Sequence, residues 1–336
     1  MKGVNIAVVG ATGMVGRNFL KILEERNFPI NNLYLFSSEK SAGSKLTFKG
    51  KEYEVEVLTE ESFKRDIDIA LFSAGGAVSK KYAPIARDNG VIVVDNSSAW
   101  RMDKDIPLVI PEVNPEDITW NNGIIANPNC STIQSIVPLK VLHDAFKIKR
   151  IIYSTYQAVS GSGMGGIRDL ENGINGKEHK KYPHQIAYNC IPHIDDFMEN
   201  GYTKEEMKMI NETKKIFSLP DLQVTATCVR VPIKFCHGVS IYVEFEDDIE
   251  INQVLDAFSK QESLVIVDDV HLGLYPTSIS VTNTDKVYVG RIRKSPFNNN
   301  SISFYCVADN LRRGSASNAV FIALKIIEIY EIKSIA

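Results

Sequence analysis

One stretch near the start of the chain limits its possible folds more than any other. An apolar run, Val4 to Val9, leads into Gly10-Ala11-Thr12-Gly13-Met14-Val15-Gly16, then an amphipathic helix pattern from Val15 to Glu25 and a second apolar run from Leu33 to Phe36. Strand, glycine turn, helix and strand make one βαβ unit, and strands joined by such a crossover lie parallel. Parallel sheets persist only with both faces covered, so this half must keep supplying helices. The turn itself is a GxxGxxG. Its glycines let backbone approach a pyrophosphate where the N–H groups opening a helix are unpaired, which makes Gly10, Thr12, Gly13, Met14 and Val15 candidate dinucleotide contacts.

No Asp or Glu stands at the tip of the second strand to take a ribose 2′-hydroxyl, as an NAD site would usually require. The segment Ser37-Ser38-Glu39-Lys40-Ser41 offers hydroxyls and a cation instead. Ser38, Lys40 and Ser41 suit a 2′-phosphate and favour NADP, against the opposing charge of Glu39. Strands expected at Ile67 to Ser73 and Val91 to Asp95, with a helix from Val78 to Asp88 between them, continue the alternation. Their polar ends, Ser73-Ala74-Gly75-Gly76 and Asn96-Ser97-Ser98, fall where open α/β sheets hold ligands. Ser73 and Gly75 therefore join the cofactor set, and Arg101 is a candidate anion ligand.

Beyond residue 130 the texture changes. Longer strands are expected at Arg150 to Val159, Gln223 to Val231, Val239 to Phe245, Val287 to Ile292 and Ser301 to Val307, with helices at Met164 to Asn172, Lys204 to Ile216 and Ile251 to Ser259. This reads as an α+β domain on a mainly antiparallel sheet. A last helix, Ser315 to Tyr330, is strongly apolar and is expected to pack against the first domain. The architecture expected is α/β: a Rossmann-type doubly wound parallel sheet from residues 1–128 plus 311–336, and a second domain over 129–310. A chain of 336 residues is long enough for two cores.

A formal charge of -3 argues against nucleic acid as a partner, which would demand a basic face. The cysteines at 130, 190, 228, 236 and 306 form no CxxC pair and no zinc-like spacing with the histidines, so they read as reduced and no metal site is expected. The start shows no export segment and no stretch reaches the ~20 apolar residues that span a bilayer, so a cytoplasmic protein without a membrane partner is expected.

Chemistry points to Asn127-Pro128-Asn129-Cys130-Ser131-Thr132. Cys130 follows a short apolar strand, Gly123 to Ala126, and precedes a helix pattern from Ile133 to Leu142. At a helix start the unpaired N–H groups and the dipole favour an anion, so thiolate comes within reach near neutral pH. A lone cysteine is equally an ordinary small buried residue. His237 is the best placed of the histidines to act as a base, and His193, in Pro192-His193-Ile194, stays open beside it. Arg230 and His237 are seven apart, so an uninterrupted strand would turn them to opposite faces; a break is expected, with Pro232 or Gly238 marking it. Glu205 and Lys208 share a helix face, either as a surface ion pair or as ligands for a substrate ammonium and a substrate anion. Gln157 ends a strand ahead of the glycine loop Ser160-Gly161-Ser162-Gly163, where its amide could align a carbonyl.

Together these segments resemble the aspartate-semialdehyde dehydrogenases, and the resemblance runs from the first strand to the last helix. Gly10 to Gly16 is similar to the family's nucleotide turn, Ser38 to Gly43 to its NADP phosphate loop, and Asn127 to Thr132 to its nucleophile motif. Tyr156 to Gly161, the Glu205 to Lys208 helix, Arg230-Val231-Pro232 with His237, and Asp309-Asn310-Leu311-Arg312-Arg313-Gly314 complete the set. The resemblance implies that Cys130 forms an acyl thioester, that His237 is the acid/base and that Gln157 orients the substrate. It implies that Arg230 clamps the substrate α-carboxylate, Glu205 pairs with its ammonium, Arg101 and Lys208 hold phosphate, and Asn129 assists the oxyanion. Ser160, Gly161 and Asn310 would meet the cofactor near its nicotinamide end. The implied reaction is NADP-dependent and phosphorylating, interconverting L-aspartate 4-semialdehyde and L-4-aspartyl phosphate for lysine, methionine and threonine biosynthesis. The implied assembly is a homodimer or homotetramer paired through the sheet of the second, catalytic and substrate-binding domain.

Two positions depart from the family's pattern: Lys40 stands where an arginine is common, and Cys236 and Gly238 flank His237 in place of a small and a polar residue. The N-acetyl-glutamyl-phosphate reductases share the fold and the thioester chemistry but show glycine before their cysteine and Tyr-Pro after it, which Asn129 and Ser131-Thr132 do not match. A nucleotide-binding regulatory homologue without chemistry would have no use for Cys130, His237, Arg230 and Lys208 together.

Overall fold

Six consecutive buried residues, Val4–Val9, form β1, the central strand of a seven-stranded sheet in the computed structural model, which describes residues 3–330. Burial on both faces explains why this strand is apolar throughout rather than alternating. The elements that follow are α1 (Met14–Glu25), β2 (Ile30–Ser37), β3 (Lys45–Phe48), β4 (Lys51–Val57), β5 (Ile69–Phe72), α2 (Gly76–Asp88), β6 (Ile92–Asp95) and β7 (Ile124–Ala126). The strand order is β3-β4-β2-β1-β5-β6-β7, and every neighbouring pair is parallel except the β3–β4 hairpin at the edge. That hairpin was absent from the sequence reading. Its turn residues, Lys49 and Gly50, both have positive φ (48° and 74°), as a tight two-residue turn requires.

The second unit begins with α3 (Cys130–Phe146) and continues through β8 (Ile148–Gln157), α4 (Gly163–Ile174), α5 (Lys204–Ile216), β9 (Gln223–Arg230), β10 (His237–Phe245) and α6 (Ile251–Ser259). It ends with β11 (Leu264–Ile266), α7 (Ser278–Val281), β12 (Val287–Lys294) and β13 (Ser301–Ala308). The six strands run in the order β11-β12-β13-β10-β8-β9. The three inner pairings are antiparallel, while the edge pairs β8–β9 and β11–β12 are parallel. Along β8 the alternation is regular: Ile151, Tyr153, Thr155 and Gln157 are buried, and Ile152 and Tyr156 are exposed on the other face.

The last helix, α8 (Ser317–Ile329), follows a π turn at Arg312–Ala316. Its stripe of Ala319, Val320, Ile322, Ala323, Ile326 and Ile327 lies in one apolar cluster with Phe19, Leu23, Val94 and Ile125. By contact the described residues divide into 3–128 with 315–330, and 129–314. Among the described residues no helix is long and apolar enough to cross a membrane.

Candidate active site

Strand register assembles the site within the second unit. β8 and β9 pair with Gln157 opposite Arg230, and β10 pairs antiparallel with β8 with Gly238 opposite Tyr156, which brings His237 level with Gln157. Strand alternation then turns Gln157, Arg230 and His237 to one buried face. The odd spacing of Arg230 and His237 is resolved by chain geometry: β9 ends at Arg230, residues 231–236 form a loop, and β10 starts at His237. Gly238, expected as a possible break, is an interior strand residue. A Cβ there would run into the Tyr305 hydroxyl, so packing is what requires glycine.

Cys130 is the first residue of α3 and Asn129 is its N-cap, with Asn129 Oδ1 accepting the Ser131 N–H (2.9 Å). Gln134, one turn on and on the same helix face as Cys130, donates its Nε2 to the His237 carbonyl oxygen (3.0 Å), so this face of α3 lies against the start of β10. Gly314 closes the other side: a Cβ there would lie 2.9 Å from Cys130 Cβ.

His237 is fully buried and its Nδ1 accepts the Ala158 N–H (2.9 Å). A neutral imidazole so bonded carries its proton on Nε2, which has no partner among the described residues. Burial, reinforced by the Arg230 guanidinium, holds its pKa down to about 3, so the ring stays neutral in ordinary buffers. Arg230 is 4% exposed, donates Nη1 to the Ala158 carbonyl (2.7 Å) and leaves Nε unpartnered. Gly161 gives access to both groups, because a Cβ there would lie 2.9 Å from Arg230 Nη1 and 3.3 Å from His237 Nε2.

Glu205 and Lys208 are bonded at 3.1 Å, but the reading of a surface pair is corrected by burial: Glu205 is 5% exposed. Burial alone would push its carboxyl up. The Lys208 charge and the amides of Gln157 and Asn129, each donating at 3.0 Å to Oε1, outweigh that and hold the pKa at about 2. Lys208 in turn sits between Glu205 and Asp195, the latter at 2.7 Å. Thr155 Oγ1 donates to Gln157 Oε1 (3.0 Å), fixing the orientation of that amide. Ser160 and Asn310 are buried and bonded to each other, and Asn310 Oδ1 also accepts the Cys236 N–H (3.0 Å). His193, the open alternative, stacks on Phe197 with centroids 4.3 Å apart.

The first unit holds the remaining candidates. Gly10 has φ 84° and a Cβ there would lie 2.9 Å from the Ser73 carbonyl carbon, while one at Gly16 would collide with Gly10 O; these are the turn and close-packing roles of a dinucleotide fingerprint. Thr12 Oγ1 bonds Ser37 Oγ (2.9 Å), Gly13 caps α1, and Met14 and Val15 supply its first N–H groups. Gly75, with φ 88°, caps α2. Ser38 and Lys40 are exposed, and the Ser38 carbonyl accepts the Ser41 N–H (2.9 Å), which folds that loop into a turn. Arg101 Nε and Nη2 donate to the carbonyls of Asn127 and Asn96, both at 2.9 Å. Only glycine fits at two points of this turn, and it leads directly into the first N–H groups of α1, so these residues suit a dinucleotide.

The sequence reading missed Glu212, Gln134 and the Ala158 main chain. Signals for the first two were present. Glu212 lies two helical turns after Glu205, and Gln134 one turn after Cys130.

Two family models match the chain: "Semialdehyde dehydrogenase, NAD binding domain" over residues 5–120 and "Semialdehyde dehydrogenase, dimerisation domain" over residues 139–313. The aspartate-semialdehyde dehydrogenase of Aquifex aeolicus is 52% identical over 330 residues, 96% of this chain and 97% of that protein. Its counterpart from Bacillus subtilis is 48% identical over 336 residues, with 96% and 97% covered. Among solved structures, aspartate semialdehyde dehydrogenase II of Vibrio cholerae complexed with ASA matches with a TM-score of 0.95 at 45% identity, covering 98% of this chain and 100% of that one. Similarity of this extent in sequence and fold, over both units, means that the chain belongs to the aspartate-semialdehyde dehydrogenase family.

Proposed function

We propose that this protein is an NADP-dependent, phosphorylating aspartate-semialdehyde dehydrogenase that works through a thioester on Cys130. The observation that carries the reading is Arg230, a buried guanidinium with no carboxylate partner among the described residues, beside a neutral His237. A charge buried in that way is stable with a bound anion, and a guanidinium fits a carboxylate with two parallel bonds. The substrate α-carboxylate takes that place. Glu205 remains ionised and has acceptor capacity left for the substrate ammonium, and Gln157 aligns the reacting group.

An aldehyde carbon releases hydride only after a nucleophile has added to it. The Cys130 sulfur forms a C–S bond, the carbonyl electron pair moves to oxygen, and the N–H groups at the start of α3 with His237 Nε2–H stabilise that oxyanion. The nicotinamide cofactor, when bound, accepts hydride in this direction and supplies it in the other. Phosphate, held by Arg101 and Lys208, then attacks the acyl carbon and expels the thiolate, giving L-4-aspartyl phosphate. Gly10, Thr12, Gly13, Met14 and Val15 are assigned to the dinucleotide pyrophosphate, Ser38, Lys40 and Ser41 to its 2′-phosphate, and Ser73, Gly75, Ser160, Gly161 and Asn310 to its nicotinamide half. The preference for NADP is supported by β2 ending at Ser37 without a carboxylate. Two copies pair through the sheet of the second unit.

The decisive measurement is reduction of NADP with aspartate semialdehyde and phosphate, run beside NAD. Activity that depends on phosphate or arsenate, favours NADP and disappears in Cys130→Ala is expected. Turnover in that variant, or turnover indifferent to the anion, would overturn the mechanism; equal rates with NAD would overturn the cofactor assignment alone.

A further inference from the structure

Asn129, the residue before the nucleophile, is gripped by one face of α5. Glu205 and Glu212 are two turns apart on that helix, and Met209 lies between them with its Sδ accepting the Thr132 hydroxyl at 3.6 Å, so the face packs on the first turn of α3. Glu205 Oε1 takes the Asn129 side-chain amide (3.0 Å), and Glu212 Oε2 takes the Asn129 main-chain N–H (2.7 Å). Glu212 is 1% exposed, and a carboxylate so far from water is held only where donors replace its hydration. The N–H of an N-cap residue stands outside the helical ladder, so the helix itself does not fix it. Glu212 therefore orients the peptide plane from which Asn129, at φ -61° and ψ 147°, leads into Cys130.

We propose that Glu212 is a positioning residue for the nucleophile: by accepting the Asn129 N–H, its carboxylate fixes the direction in which Cys130 is presented. The proposal rests on the reading of Cys130 as the nucleophile. Glu205 shares its oxygens with Gln157 and Lys208, so it answers to the substrate pocket as well, whereas the main-chain anchor belongs to Glu212. A nucleophile displaced by about 1 Å from its attack geometry loses on the order of a hundredfold in rate, while groups that bind the substrate elsewhere are untouched.

The test compares Glu212→Gln, which keeps an oxygen able to accept the N–H, with Glu212→Leu, which does not. Two quantities are measured: kcat and KM for aspartate semialdehyde, and the rate of Cys130 alkylation by iodoacetamide without substrate, located by peptide mass because Cys190 is exposed and Cys130 half-buried. Glu212→Leu is expected to lose about ten- to a hundredfold in kcat and to alkylate more slowly, with KM changed less than about threefold; Glu212→Gln stays close to the parent in both. Parent-like kcat and alkylation in folded Glu212→Leu overturn the proposal, as does an equal loss in Glu212→Gln, which would make charge rather than position the cause. If Glu212→Leu does not accumulate folded, Glu212→Asp replaces it: the retracted carboxylate is expected to lower kcat, and parent-like kcat overturns the proposal. Alkylation needs no substrate, so it tests positioning even where the assigned substrate is wrong.

Discussion

His237 shows what a single residue can and cannot reveal in sequence. That a histidine stands seven residues after Arg230 is plain, but its acceptor bond comes from Ala158, 79 positions away, and only strand pairing brings them together. That bond and burial together have a consequence for acid stability. The folded pKa of about 3 lies below the ~6.5 of an unfolded histidine, so between those values the unfolded chain binds more protons and stability falls as pH is lowered. Glu205, held at about 2, loses its contribution in a lower window, beneath the ordinary carboxylate pKa of ~4.3. His143, also lowered by burial, adds the same slope to any variant. Urea unfolding at pH 7 and pH 5.5 should therefore show a pH-dependent loss in the parent that shrinks by about 1 kcal/mol in His237→Asn. Identical losses in the two proteins would mean that His237 is not buried neutral.

At the scale of elements, boundaries were legible where local chemistry sets them. α5 begins where the pattern places it because Thr203 and Glu206 form a reciprocal cap, and Glu250 with Gln253 does the same for α6. The β3–β4 hairpin was hidden because one side carries Lys45, Glu52 and Glu54, the charge that edge strands use to resist further pairing. The π turn before α8 had no signal at all, yet it holds Gly314 against Cys130. Gly314 lies outside the left-handed region, so alanine there costs no backbone strain; what it adds is a methyl group 2.9 Å from Cys130 Cβ. Gly314→Ala is expected to lower kcat about tenfold or more while nucleotide affinity, followed by fluorescence titration, stays unchanged. A parent-like kcat would show that α3 can yield at its first residue.

At the scale of the whole molecule, α8 was readable as a return to the first core because its apolar positions repeat on one helix face. The mixed pairing of the second sheet was less readable, since β8 and β9 look like any two strands until the helices between them are counted as a crossover. The same sheet leaves part of one face exposed. Ile152 on β8 is paired with Tyr242 on β10, Tyr242 stacks on Phe297 at 6.1 Å, and Tyr156 is 43% exposed. An apolar and aromatic patch on central strands asks for a partner, and a matching copy of the chain supplies one through a two-fold axis. In such an interface one substitution counts twice, so Ile152→Lys places two ammonium groups within it. Sedimentation of the parent should give a dimer, or a tetramer built from it, and Ile152→Lys should shift it toward monomer, with the shift largest at low salt because charge repulsion drives it. A parent that sediments as a monomer would overturn the pairing itself, and an Ile152→Lys protein that pairs as tightly as the parent would place the dimer contact elsewhere on the second unit.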